Sequence, residues 1–420
     1  MSSLYEDGQK IIWAALQAAM PDTAVKKALA DMKTERGRLI LVAVGKAAWQ
    51  MAAAASAELG DRIDEGIVIT KYGHVKGELR NITCYEAGHP VPDKNSFFAT
   101  EAALKITENL NAEDQVLFLL SGGGSALFEK PLLPSEELEQ ITNQLLASGA
   151  GIMEINTVRK RLSAVKGGRF ALHCRPANVF AILLSDIIGD PLDMIASGPA
   201  YPDGTTCAQA QDVIRRYHIS VSEEAAALLK RETPKKLDNV MTRVTGSVRQ
   251  LCKAAADTCE ALGYKPVVLT AELCCQAREA GSFLGTIGKF HSEDEISSAY
   301  IAGGETVVKL TGKGKGGRNQ ELALAAAPHI AGLENVALFS IGSDGTDGPT
   351  EAAGGYVDGS SRQKIEEEGR RIEEILADND AYHGLKSCGG LLITGPTGTN
   401  VNDIAVVLIQ GRRKSHVSGS

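Results

Sequence analysis

Between residues 303 and 351 glycines, hydroxyls and both signs of charge recur at short spacing. The strings are Gly-Gly-Glu-Thr (303–306), Gly-Lys-Gly-Gly-Arg-Asn-Gln-Glu (314–321) and Gly-Ser-Asp-Gly-Thr-Asp-Gly-Pro-Thr-Glu (342–351). Glycine turns the backbone sharply and brings its N–H groups close to a ligand. Lys315 and Arg318 have the charge that phosphates attract, and Asp344 and Asp347 have the charge that a hard cation such as Mg²⁺ attracts. The combination points to phosphate chemistry with a metal.

Other segments carry compatible groups, each with a plainer alternative. Ser121-Gly122-Gly123-Gly124-Ser125 follows an apolar run and is either an anion nest or a tight turn without a ligand. Lys46 follows Gly45 at the end of another apolar run and is either a phosphate contact or a surface lysine. The basic stretch 156–170 contains Arg159 and Lys166, which either line the polar face of a helix or capture an anionic substrate. Asp186 and Asp190 follow a further run and could orient a hydroxyl, act as base or bind Mg²⁺; they could equally cap a turn. Arg318 on its glycine turn suits a transferring phosphoryl group, or a structural salt bridge to Glu321 or Glu305.

These groups need elements to hold them. Apolar runs at 39–44, 66–70, 82–85, 116–120 and 179–184 alternate with helical patterns at 47–59 and 93–110, the latter with Asp93 as its N-cap. Short buried strands alternating with helices predict a parallel, doubly wound sheet whose ligands sit beyond the strand C-termini. Lys46, the loop 121–125 and Asp186 each follow a strand and are expected on one rim. The polar stretch 231–239, with Pro234, reads as a boundary. A helix at 247–262 and strands near 266–270, 297–310, 335–341, 389–394 and 403–409 follow it. The expected domains are 1–240 and 241–420.

The chain has 420 residues, 44% of them hydrophobic, and a net charge of −8. Two or three domains fit that length. No strongly basic face or run suggests nucleic acid, and no apolar stretch is long enough to span a bilayer. The N-terminus lacks the basic start of a signal peptide, so a cytoplasmic location is expected. Eight cysteines without a Cys-x-x-Cys spacing read as reduced residues. The Gly-x-x-x-x-Gly-Lys-[Ser/Thr] phosphate loop, the protein-kinase signatures and the Gly-x-Gly-x-x-Gly dinucleotide fingerprint are all missing.

The ordered set of strings resembles the type II glycerate kinases with a C-terminal MOFRL domain. It runs from Val44-Gly-Lys-Ala47 and Gly88-His-Pro-Val-Pro-Asp93 through Ser121–Ser125, Ala196-Ser-Gly-Pro199, Gly303-Gly-Glu-Thr306 and Gly316-Gly-Arg-Asn-Gln-Glu321 to Asn402-Asp403. The resemblance covers roughly residues 40–410 and implies ATP-dependent phosphorylation of D-glycerate to 2-phosphoglycerate with Mg²⁺ or Mn²⁺. It implies a Rossmann-like N-terminal domain, a smaller α/β MOFRL domain and an active site in the cleft between them. The family's proposed catalytic Lys and Arg fall on Lys46 and Arg318, joined in this reading by Asp186. ATP phosphates are expected on Ser121–Ser125, the substrate on Arg159, Lys166 and Asp190, and the metal on Asp344 and Asp347. Assembly is left open, with a homodimer as one arrangement. Some relatives are named hydroxypyruvate reductases, so NAD(P)H-dependent reduction is the rival reaction, and a non-catalytic regulator binding glycerate or nucleotide is the rival outside enzymology.

Overall fold

The computed structural model describes residues 3–33, 36–185 and 192–412. These form two compact units, residues 21–245 and residues 1–20 together with 246–420.

In the unit formed by 21–245, six strands make one sheet: β1 (Leu39–Val44), β2 (Glu65–Lys71), β3 (Ile82–Ala87), β4 (Gln115–Leu120), β5 (Asn178–Leu183) and β6 (Val240–Val244). The order is β3-β2-β1-β4-β5-β6 and every neighbouring pair is parallel. Six consecutive apolar residues make β1 because helices cover both sheet faces. Ile40, Val42 and Val44 enter one core, and Leu39, Leu41 and Ala43 enter the other. Asp93 caps the helix Lys94–Ile106, its carboxylate accepting the Ser96 N–H at 2.9 Å. β6 was not expected as a strand. It borders the loop at 231–239 and is only half buried as an edge strand, so its apolar signal is diluted.

The second unit also has six strands: β7 (Lys265–Leu273), β8 (Ser298–Gly304), β9 (Val336–Gly342), β10 (Gly354–Asp358), β11 (Leu391–Leu392) and β12 (Asp403–Ile409), in the order β11-β10-β9-β12-β8-β7. Only β7 and β8 pair in parallel; the other pairs are antiparallel. The unit is α/β as expected, but its sheet is mixed.

The division 1–240 and 241–420 needs correction at its start. Helix Leu4–Ala19 belongs with the C-terminal half, where Ile11, Ile12, Ala15 and Leu16 share a core with Val248, Leu251 and Phe339. The Tyr264 hydroxyl donates to Asp7 at 2.9 Å, and Thr399 donates to the Ala19 carbonyl at 2.9 Å. Pairing between elements hundreds of residues apart leaves no local signal in sequence. The crossing into the second unit falls at 245/246. No helix among the described residues is long and apolar enough to cross a membrane.

Candidate active site

The strand order of the parallel sheet reverses between β1 and β4, and such a switch point opens a crevice beyond the strand ends. Lys46 follows β1 and the loop 121–125 follows β4. Three bonds tie the two turns. Ser121 N–H donates to the Val44 carbonyl (2.9 Å), Lys46 N–H to the Gly122 carbonyl (2.9 Å) and Ala47 N–H to Ser121 Oγ (3.1 Å). Gly45 sits at φ 121°, and any Cβ there would collide with Ser121. The turns thus meet only because residue 45 is glycine.

The loop has a property of an anion cradle. Among the described residues, the N–H groups of Gly122, Gly123, Gly124 and Ser125 find no acceptor. Backbone donors are rarely left unpaired, and four in succession around a left-handed Gly123 (φ 87°) have the composition of an anion nest. The Lys46 side chain runs alongside: a Cβ on Gly123 would lie 3.2 Å from Lys46 Cγ. The ammonium of Lys46 has no ion-pair partner among the described residues.

Arg159 ends the helix Ile152–Arg159 and reaches this loop, donating from Nη2 to the Ser125 carbonyl at 3.2 Å. Its Nε is buried without a partner among the described residues. Beside it runs a chain of hydroxyls and amide: Ser125 Oγ lies 3.0 Å from Ser197 Oγ, which donates to Asn156 Oδ1 at 3.1 Å. Ala196 and Ser197 hold left-handed backbone (φ 49° and 61°), a strained state for residues with a Cβ that clusters at ligand sites. Asn156 and Ser197 were not singled out from the residues, although Asn156 opens the basic stretch 156–170 and Ser197 lies in a string that carries the family resemblance.

Lys166 is placed differently from the expectation of a substrate contact. It is 0% exposed, its ammonium 2.8 Å from a Glu129 carboxylate oxygen and 2.9 Å from the Phe128 carbonyl, to which it donates. Burial pushes its pKa down to about 8, against the pull of Glu129. Arg159 and Lys166 are brought to one carboxylate, since Arg159 Nη2 is 3.7 Å from Glu129. Only Arg159 borders the glycine loop. Asp186 and Asp190 lie outside the described residues.

In the other unit Arg318 opens the helix Arg318–Ile330. Asp403 at the start of β12 grips its guanidinium at 2.6 Å (Nε) and 3.1 Å (Nη2), and Glu305 takes Nη1 at 2.9 Å. The pairing with Glu305 is one that the sequence offered; the stronger, two-pronged one with Asp403 is not. The two carboxylates hold the guanidinium charge firmly, and its side chain remains one-third exposed.

Asp347 was expected to hold a metal, and the structure gives its oxygens other work. It is buried and accepts the N–H groups of Asn319 (3.2 Å) and Gln320 (2.9 Å) and the amide of Gln320 (3.1 Å), so it caps helix Arg318–Ile330. Asp344 accepts from Thr346 N–H at 3.0 Å and is partly exposed, leaving oxygen free to face solvent. Among the described residues no group of three or more His, Cys, Asp or Glu side chains is arranged to hold a metal ion. The described residues therefore do not form a protein cage for Mg²⁺.

Fold and site together define a two-unit α/β protein with a lysine and a run of amides, free among the described residues, at the switch point of a parallel sheet. Residues 7–230 match the family described as a domain of unknown function (DUF4147), and residues 298–403 match the MOFRL family. A D-glycerate 2-kinase of Thermotoga maritima is 50% identical over 406 residues, covering 95% of this chain and 97% of that protein. A glycerate 2-kinase of Pyrococcus horikoshii is 40% identical over 435 residues, 97% of this chain and 98% of the relative. The crystal structure of a glycerate kinase from Thermotoga maritima superimposes with a TM-score of 0.93 at 49% identity, covering 97% of this chain and 99% of that one. The chain belongs to the glycerate 2-kinase family with a C-terminal MOFRL domain.

Proposed function

We propose that this chain is a glycerate 2-kinase, transferring the γ-phosphoryl group of ATP to the 2-hydroxyl of D-glycerate. The observation that carries the reading is the sheet's switch point, where Lys46, without an ion-pair partner among the described residues, lies beside four amides that find no acceptor among them. Half-identity to a D-glycerate 2-kinase over nearly the whole chain supplies the substrate class. Phosphoryl transfer needs little covalent help from a protein; positioning and charge stabilisation do most of the catalysis.

In this reading the amides of 122–125 hold phosphate oxygens, and Lys46 stabilises charge on the transferring group. Arg159 and the Ser125–Ser197–Asn156 chain orient the acceptor, Arg159 facing its carboxylate. Arg318, aimed by Asp403 and Glu305, is the second stabilising cation. Mg²⁺ or Mn²⁺ comes as part of the nucleotide substrate and neutralises its phosphates.

The test is incubation with ATP, Mg²⁺ and D-glycerate, with the product assigned by phosphorus NMR. A 2-phospho product stoichiometric with ADP is expected, and EDTA should abolish it until Mg²⁺ is restored in excess. Oxidation of NADH or NADPH by hydroxypyruvate without ATP would replace this reading with the reductase. Thermal stabilisation by ligands without ADP release would replace it with the regulator.

A further inference from the structure

A second basic group stands on the same sheet edge and is not used above. Lys71 ends β2 and pairs in register with Ala87 at the end of β3; His89 is two residues further on. Lys46 lies two residues past Val44, which pairs with Ile69 of β2. The ends of β1, β2 and β3 thus carry Lys46, Lys71 and His89 side by side. His89 meets the glycine loop directly, since a Cβ on Gly123 would lie 3.0 Å from its Cδ2 and 3.1 Å from its Nε2.

The surroundings are one-sided in charge. The Lys71 ammonium, like that of Lys46, has no ion-pair partner among the described residues, and neither nitrogen of His89 has a hydrogen-bond partner there. His74 faces the group from the loop after β2, its Nδ1 2.9 Å from the Lys46 carbonyl. The nearby carboxylates are occupied. Glu86 accepts the Val75 N–H at 2.9 Å, and Asp93 binds Tyr72 at 2.6 Å and Ser96 at 2.9 Å. In a chain of net charge −8, a cluster of two lysines and a half-buried imidazole, unpaired among the described residues, is held against the average. Like charges cost free energy unless an anion joins them.

We infer that His89, backed by Lys71 and Lys46, contacts a phosphoryl oxygen of the substrate bound at this crevice and takes up a proton as that group arrives. This deepens the kinase reading and rests on it. Without ligand, burial and the charges of Lys46, Lys71 and His74 hold the imidazole below its usual pKa, so it is neutral near pH 7. A dianion at the same spot reverses the sign of the local field. The proton comes from solvent, the imidazole becomes imidazolium, and one charge-assisted hydrogen bond forms to the phosphoryl oxygen.

The test uses sulfate, a dianion that does not itself titrate between pH 5 and 8, so any proton uptake belongs to the protein. Histidine labelled with ¹³C at Cε1 is titrated by NMR in the full chain, with His89→Gln assigning the resonance. Saturating sulfate should raise the His89 pKa by roughly 1–2 units, the scale of an opposite charge placed within about 4–6 Å. His89→Gln should weaken sulfate binding roughly tenfold, as expected for losing a hydrogen bond with a charged partner. Lys71→Ala should raise the free-state pKa of His89 while weakening sulfate, a pairing that a purely structural lysine would not produce; it also serves if His89→Gln does not fold. Repeating the titration with an unreactive ATP analogue and with D-glycerate separately identifies the donor of the group. An unmoved His89 pKa in sulfate and in the ATP analogue overturns the inference, as does a shift with glycerate alone. Turnover of ATP and glycerate, measured in parallel, tests the kinase reading independently, because sulfate binding requires no catalysis.

Discussion

Lys46 is a cation without a counter-charge among the described residues, just before the helix Ala48–Leu59, where the helix dipole disfavours it by about 0.3–1 kcal/mol. No ion pair among the described residues offsets that placement; a phosphoryl group would. Lys46→Ala is expected to lower kcat by roughly 10²–10³-fold, the scale for one preorganised stabilising group, with the melting temperature unchanged or slightly raised. Steady-state kinetics check it, and a near-normal kcat would make Lys46 a surface residue. Lys166 is the opposite case, a lysine whose charge is consumed inside the protein by Glu129. Removing one partner of a buried pair leaves the other charge uncompensated and costs about 3–5 kcal/mol, whereas replacing both with apolar groups is often near neutral. Lys166→Met should therefore destabilise strongly, and Lys166→Met with Glu129→Leu should regain most of the loss in urea unfolding. If the double variant were stable yet had lost glycerate affinity, Lys166 would be a substrate contact after all. The two lysines look alike in sequence, each near glycine in a segment with helical character. Only burial separates them, and burial is set by distant elements. Lys71, His74 and His89 were illegible for the same reason: they come together through the register of β1, β2 and β3, and no local spacing announces it.

The elements themselves were largely legible. Uniform apolar runs announced β1 and β4 because strands buried on both faces have no polar alternation. The Asp93 cap was legible because capping is local chemistry. The Asp347 cap was not, since its helix begins 29 residues earlier in the chain, at Arg318, and a carboxylate in a glycine loop suits a metal equally well. That cap has a pH consequence. Burial, helped by the nearby Asp403, outweighs the pull of the Asn319 and Gln320 donors and raises the Asp347 pKa to about 6. A raised carboxylate pKa means the folded state holds the proton more tightly than the unfolded chain. Its favourable contribution is full below the unfolded value near 4 and is lost as pH rises through about 6. Asp347→Asn removes that titration and one capping oxygen. The variant should thus be destabilised more at pH 4.5 than at pH 7, the gap narrowing by up to a few kcal/mol. Urea midpoints at the two pH values measure it, and a gap that widens with pH would show the ionised cap to be the favoured form.

The chain begins one unit, leaves it after residue 20, builds the whole of the other from 21 to 245, and returns at 246. A contiguous unit can complete its core from its own residues as it is synthesised; an interrupted one must retrieve a segment laid down earlier. The retrieved helix Leu4–Ala19 brings Leu4, Ile11, Ile12 and Leu16 into the core shared with Val248, Leu251, Phe339 and Ile404. At about 1.5–3 kcal/mol for each large apolar side chain, those four contribute roughly 6–12 kcal/mol, which is comparable to the whole stability of a domain. The two units should therefore differ sharply when separated. Residues 21–245 alone should give a cooperative thermal transition and retain any sulfate binding at the switch point. Residues 246–420 alone should expose the face vacated by the helix, bind a hydrophobic dye and aggregate. Adding a peptide of residues 1–20 should restore a cooperative transition to that fragment, with a midpoint that rises with peptide concentration as expected for a ligand binding only the folded state. Circular dichroism and dye fluorescence on the two fragments decide the matter. A fragment 246–420 that melts cooperatively without the peptide would reduce the N-terminal helix to a covering element.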